Sequence, residues 1–121
     1  MAPILNTGGS LGGSAARVGA VPSKVSAAKA ALEAHCRQLA VELAPLGIRV
    51  NALRGGVTDT PALRKIPGHE RLLAGAHERN PSGRLTRPED VAGAIVALSR
   101  PEAQWITGNV INVDGGEEII V

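Results

Sequence analysis

Three short segments of this sequence combine residue types that could do chemistry. Ser26-Ala27-Ala28-Lys29 sets a hydroxyl three residues before an amine, the Ser-x-x-Lys arrangement in which the amine can deprotonate the hydroxyl. Its companion motifs, Ser-Asp-Asn and Lys-Thr-Gly, do not occur, so the plain alternative is a solvated lysine on an Ala-rich helix. Thr7-Gly8-Gly9-Ser10-Leu11-Gly12-Gly13-Ser14 nearly spells the Thr-Gly-x-x-x-Gly-x-Gly turn that cradles dinucleotide phosphates, with Ser14 in place of the last glycine. In Val50 to Thr60 a strand ends in Gly55-Gly56, with Thr60 four positions beyond the second glycine. Ligands of open α/β sheets sit off the carboxyl ends of strands, and glycine lets the backbone approach a phosphate or amide closely. An ordinary strand-end turn is the competing reading.

Other chemistry is excluded by what the chain lacks. There is no tyrosine, so no phenol is available to donate a proton. His35, His69 and His77 are scattered and no His-Glu-x-x-His occurs, so no metal site is expected. His35 and Cys36 are adjacent and point to different parts of a helix surface. Cys36 reads as a small core residue, and Trp105 as an anchor packing the end of the sheet. The 13 Lys and Arg against 11 Asp and Glu give a net charge of +2, but the basic residues are spread along the chain. With one Trp and no Phe or Tyr to stack on bases, nucleic acid is not an expected partner. One cysteine rules out an internal disulfide framework. No apolar run approaches the roughly 20 residues of a membrane span, and nothing after Met1 resembles an export signal, so a cytoplasmic location is expected.

These segments must be positioned by a small set of elements. Residues 3 to 7 form an apolar run that empties into the glycine-rich loop, as a buried strand does. From Ser23 to Leu43, the residues Leu32, Cys36, Leu39, Ala40 and Leu43 recur at steps of three and four among helix formers, which predicts a long amphipathic helix. Pro45 and Gly47 end it, and Ile48 to Leu53 reads as the next strand. Residues 54 to 87, rich in Gly, Pro, Arg and Thr, read as a functional connection with one helix from His69 to His77. Pro88-Glu89-Asp90 opens a helix through Leu98, with proline in the first turn and acids at the positive end of the dipole. Val110 to Val113 forms a last strand running into Asp114-Gly115-Gly116. Helix, tight connection and strand in alternation point to α/β layering within one domain over residues 1–121. An aromatic-poor core of Ala, Val, Ile and Leu must hold it together.

In order along the chain, Lys29 to Glu33, Leu39 to Leu43, Gly47 to Ala52, Gly83-Arg84 with Arg87 to Ala92, and Ile106-Thr107-Gly108 through Gly116 resemble the C-terminal half of a short-chain dehydrogenase/reductase. Gly55-Gly56 where most members carry Pro-Gly, Asp59-Thr60-Pro61-Ala62-Leu63, and Asn80 to Arg84 are similar to the FabL-like, NADPH-dependent enoyl-acyl-carrier-protein reductases, with 3-ketoacyl reductases as near neighbours. The resemblance implies a partial Rossmann-like, mostly parallel doubly wound sheet and hydride transfer from NADPH or NADH to an unsaturated acyl thioester in fatty acid synthesis. It implies that Lys29 hydrogen-bonds the nicotinamide ribose and favours the phenolate of a neighbouring tyrosine. It also implies that Gly56, Val57 and Thr60 hold the nicotinamide end, that Ser10 orients the substrate carbonyl, and that residues 61 to 80 form a mobile substrate-binding segment. The helix over residues 23–43 would lie at a homo-oligomer interface, or a complementary chain would complete the sheet.

The sequence departs from this family at the proton donor. The tyrosine usually stands four positions before the lysine, where Val25 is found, or seven before in enoyl reductases, where Pro22 is found. The cofactor-binding N-terminal half of the domain is expected upstream of Met1. The isolated chain is therefore expected to catalyse little or nothing, and a non-catalytic interaction module is the alternative reading.

Overall fold

A computed structural model describes residues 3–7 and 23–119. The elements run β1 (Pro3–Thr7), α1 (Ser23–Leu43), β2 (Arg49–Gly55), α2 (Pro61–Arg64), α3 (His69–Arg79), α4 (Pro88–Leu98) and β3 (Val110–Val113). The strands form one parallel sheet in the order β1-β2-β3. Thr7 pairs with Leu53 and Gly55 with Val113, so the carboxyl ends of all three strands lie along one edge.

The central strand shows why the layers stack as they do. All residues from Arg49 to Leu53 are buried, as expected of a parallel strand covered on both faces. Side chains alternate across a strand. Val50 and Ala52 join Cys36 and Ala40 of α1 on one face, while Leu53 joins Leu98 of α4 and Ala103 on the other. Val110 continues the first cluster, and Ile111 and Val113 continue the second. The result is a mixed α/β fold with helices on both faces of a parallel sheet, matching the partial Rossmann-like layering expected.

Local signals act as anticipated at several element ends. Beyond α1, the chain makes a 3-10 turn over Ala44–Leu46, with Pro45 inside it and Gly47 at φ 70°, a left-handed conformation that suits glycine. At the start of α4, Asp90 accepts a hydrogen bond from the Arg87 backbone N–H at 2.8 Å, which satisfies a donor left free by the helix geometry.

Three expectations are corrected. Leu39 is exposed rather than part of the buried stripe of α1, because Cys36 and Ala40 are the residues that meet β2. Trp105 is 95% exposed and anchors nothing. The carbonyls of Ala103 and Ile106 on either side of it turn inward to the Arg49 guanidinium, and buried Ala103 fills the space beneath. The long connection is also better structured than expected. It holds α2 as well as α3, and Val57, Leu63 and Ala76 form their own cluster with Leu72, Leu73 and Leu85 beyond the end of β2.

Candidate active site

Gly55-Gly56 carries the chain out of β2 at the carboxyl edge. A Cβ on Gly56 would sit 2.5 Å from the Thr86 hydroxyl, 2.7 Å from a Glu117 carboxylate oxygen and 3.0 Å from Cβ of Asp114. Only glycine permits so close an approach. The Val57 N–H donates to Oε2 of Glu117 at 3.0 Å, and the Thr58 hydroxyl donates back to the Gly56 carbonyl at 2.9 Å. Thr60 caps α2, accepting from the Leu63 N–H at 3.2 Å with Pro61 in the first helical position. Asp59 is gripped by two nitrogens of Arg64 at 2.7 and 2.8 Å, and this pairing lowers the carboxyl's pKa and raises that of the guanidinium. Gly56, Val57 and Thr60 thus all lie on the short segment that joins β2 to α2.

Lys29 is carried by α1, which packs against β2. Ala40 lies against Gly108, the Cys36 thiol contacts the Val50 carbonyl, and Glu33 pairs with Arg54 at 2.6 Å. Falling residue numbers on α1 therefore accompany rising numbers on β2. Lys29 is half-buried on α1, one helical turn before Glu33, about 6 Å along the axis. Ser10, the rest of the glycine-rich loop and Pro22 lie outside the described residues. Burial raises the pKa of the Cys36 thiol, in keeping with a packing rather than a nucleophilic residue.

Sequence reasoning missed a layer of polar residues that shapes this turn. Asp114 accepts from the Gly116 and Glu118 N–H groups at 2.9 and 3.0 Å, closing a tight loop in which Gly115 and Gly116 have φ of 65° and 91°. Buried Asn80 donates to the Asp114 carbonyl at 2.8 Å, and Ser82 donates to that of Gly115 at 2.8 Å. Between these loops lies a cleft of about 310 Å³, bordered by Arg84, Thr86, Asp90 and Asn112. Arg84 and Asp90 form a two-pronged ion pair at 2.6 and 2.8 Å. Thr86 is buried, and its hydroxyl has no partner among the described residues. The Asp114-Gly115-Gly116 motif was visible in the sequence. The approach of Glu117 to Val57 was not, because 60 residues separate them.

Among the described residues no group of His, Cys, Asp and Glu could hold a metal, and no helix is long and apolar enough to cross a membrane.

Residues 2–118 match the family model described as Enoyl-(Acyl carrier protein) reductase. The chain is 45% identical over 94 residues to a cis-4-hydroxycyclohexanecarboxylate dehydrogenase of Sinomonas cyclohexanicum, covering 78% of this chain and 37% of that protein. It is 41% identical over 91 residues to a 3-oxoacyl-[acyl-carrier-protein] reductase of Thermotoga maritima, covering 75% of this chain and 36% of that one. The crystal structure of the Bacillus cereus enoyl-acyl carrier protein reductase with NADP+ and indole naphthyridinone superposes with a TM-score of 0.85 at 36% identity, covering 98% of this chain and 45% of that one. The chain spans less than half the length of each of these proteins. A parallel sheet with helices on both faces, a double-glycine turn at its carboxyl edge and a family match over nearly the whole length lead to one assignment: the chain belongs to the enoyl-(acyl carrier protein) reductase family of short-chain dehydrogenases and reductases.

Proposed function

We propose that residues 1–121 form the substrate-side half of an NAD(P)H-dependent reductase domain, acting on an enoyl thioester as a FabL-like, NADPH-using member would. The reading is supported by the Gly55-Gly56 segment leaving β2 at the carboxyl edge of a parallel sheet, where α/β folds bind their ligands, with Lys29 one helical turn before the Glu33 that pairs with Arg54 of β2. The segment offers a backbone donor of the kind a carboxamide oxygen would need, since its Val57 N–H already holds an oxygen acceptor.

When bound, the reduced nicotinamide supplies a hydride. The chain's own residues would bind and orient: Lys29 would donate to the ribose, the Gly56–Thr60 backbone would receive the carboxamide end, and Ser10 would donate to the thioester carbonyl. Residues 61–80, which include α2 and α3, wall the acyl side with Leu63, Leu72 and Leu73 as its apolar content. No phenol stands beside Lys29, since Val25 and Pro22 occupy the two positions from which family members donate the proton. A positioned acid contributes about a hundred-fold or more. The isolated chain therefore turns over little substrate.

That missing phenol also favours a second reading, a non-catalytic module derived from the same fold. Exposed Leu39 and Val41 on α1 supply apolar surface for a homo-oligomer or for a complementary chain. Isothermal titration of the purified chain with NADPH and with NADH, with its mass in solution measured in the same buffer, separates the two. Micromolar binding supports the reductase half-site, and a folded oligomer that binds neither nucleotide supports the module.

A further inference from the structure

Glu117 is the buried carboxylate that neither the fold nor the reductase reading has used. It is 4% exposed, no Lys or Arg pairs with it among the described residues, and its side chain accepts from the Val57 N–H. A buried carboxylate held by so few donors gives up much of its hydration. Swinging outward would restore that hydration and free the Val57 N–H.

The same carboxylate oxygen stands where it governs the turn. It lies 2.7 Å from the position of a Cβ on Gly56, and the Thr86 hydroxyl, unpartnered among the described residues, lies 2.5 Å from that position, so both groups crowd the same point beside Gly56. With Glu117 displaced, the Val57 N–H becomes a free donor, and the Thr86 hydroxyl can donate or accept. An amide, with one acceptor oxygen and one donor NH2, matches that pair.

We propose that Glu117 is an internal competitor for the carboxamide end of a nicotinamide cofactor: its carboxylate holds the Val57 N–H until the ligand's amide oxygen replaces it. This rests on the reductase reading of the turn. It makes Glu117 a residue that sets cofactor affinity rather than one that touches the reacting atoms.

The test uses the full chain and the variants E117A, E117Q and E118A, with NADPH affinity measured by isothermal titration and the Val57 amide followed by hydrogen exchange. The expected result is that E117A binds NADPH about tenfold more tightly than the parent chain, the equivalent of about 1.4 kcal/mol. E117Q, which keeps an acceptor, falls between the two, and E118A, which removes an equal charge nearby, leaves affinity unchanged. The Val57 amide should lose protection in unliganded E117A. Equal or weaker binding by E117A, with the parent chain still binding, overturns the competition and leaves the cofactor reading standing. Tighter binding by E118A to the same degree overturns it in favour of a simple charge effect. If neither the parent chain nor any variant binds, the cofactor reading falls and the competition falls with it. Should E117A fail to fold, the near-isosteric E117Q decides, since unchanged affinity there overturns the proposal.

Discussion

The Arg49 guanidinium donates to the Leu98 carbonyl at 2.7 Å, so the buried first residue of β2 closes the end of the helix packed on its own face of the sheet. Its other terminal nitrogen reaches the Ala103 carbonyl at 2.9 Å, tying down the 3-10 turn that follows α4. One side chain thereby satisfies carbonyls that a helix end leaves without internal partners. Arg49→Met keeps the apolar stem but strands those carbonyls, and should cost about 3 kcal/mol in urea unfolding. Arg49→Lys, unable to reach both carbonyls with its single ammonium, should fall between the two.

Glycines at different places in this fold should respond to alanine with opposite signs. Gly56→Ala pushes its methyl into Thr86, Glu117 and Asp114, and should destabilise by about 1–3 kcal/mol while exposing the Val57 amide to exchange. Gly75 in α3 and Gly93 in α4 have nothing within 4 Å of an added Cβ. Gly75→Ala and Gly93→Ala should each stabilise by about 0.5–1 kcal/mol, read from the urea midpoint at constant m-value.

Acid should loosen the start of α4 over a defined window. The Arg84 guanidinium, helped by the Arg87 backbone N–H, lowers the Asp90 pKa from 3.8 to about 2. A carboxyl whose pKa is depressed by folding stabilises the folded state above its unfolded value and loses that contribution as pH falls through its folded value. The excess stability of the parent chain over Asp90→Asn should therefore be constant above 3.8 and vanish on approach to about 2. Thermal unfolding of both proteins across that range provides the measurement.

If Lys29 binds the cofactor, Lys29→Met should weaken NADPH binding about tenfold, the size of a single charge-assisted hydrogen bond, while leaving the urea midpoint unchanged. A titration in which K29M binds like the parent would remove Lys29 from the site.

Restoring the phenol provides a gain-of-function experiment. Val25 precedes Lys29 by one turn of α1, the spacing that brings two side chains onto one helical face. Val25→Tyr, which sets a phenol at the four-residue spacing usual in the wider family, should raise 3-ketoacyl-thioester reduction by about a hundred-fold over the parent chain, followed by NADPH absorbance.

The layered architecture was legible in the sequence wherever one local pattern dominated. The period of Leu32, Cys36 and Ala40 marks α1, the run from Ile48 to Leu53 marks β2, which extends two residues further to Gly55, and Pro88 with its following acids marks α4. Leu39 and Trp105 misled because hydrophobic character says nothing about whether a neighbour is present to cover it. The 3-10 turn after α4 and the inward reach of Arg49 decide the fate of Trp105, and neither is encoded near it. Of the site, Gly56, Val57 and Thr60 could be read from their spacing and resemblance. Asn80, Thr86, Asp114 and Glu117 could not be assigned to the site, because their contacts join loops far apart in sequence and depend on the turn geometry of Gly115 and Gly116.

The exposed Trp105 gives the chain an unusual optical character. It is the one aromatic fluorophore of the sequence, since Phe and Tyr are absent, and its indole already lies in water when the protein is folded. Its emission therefore changes little on denaturation, which makes it a poor reporter of folding. A surface that covers the indole would shift its emission to the blue against a background with no other emitter, so the same side chain serves as a built-in sensor of docking.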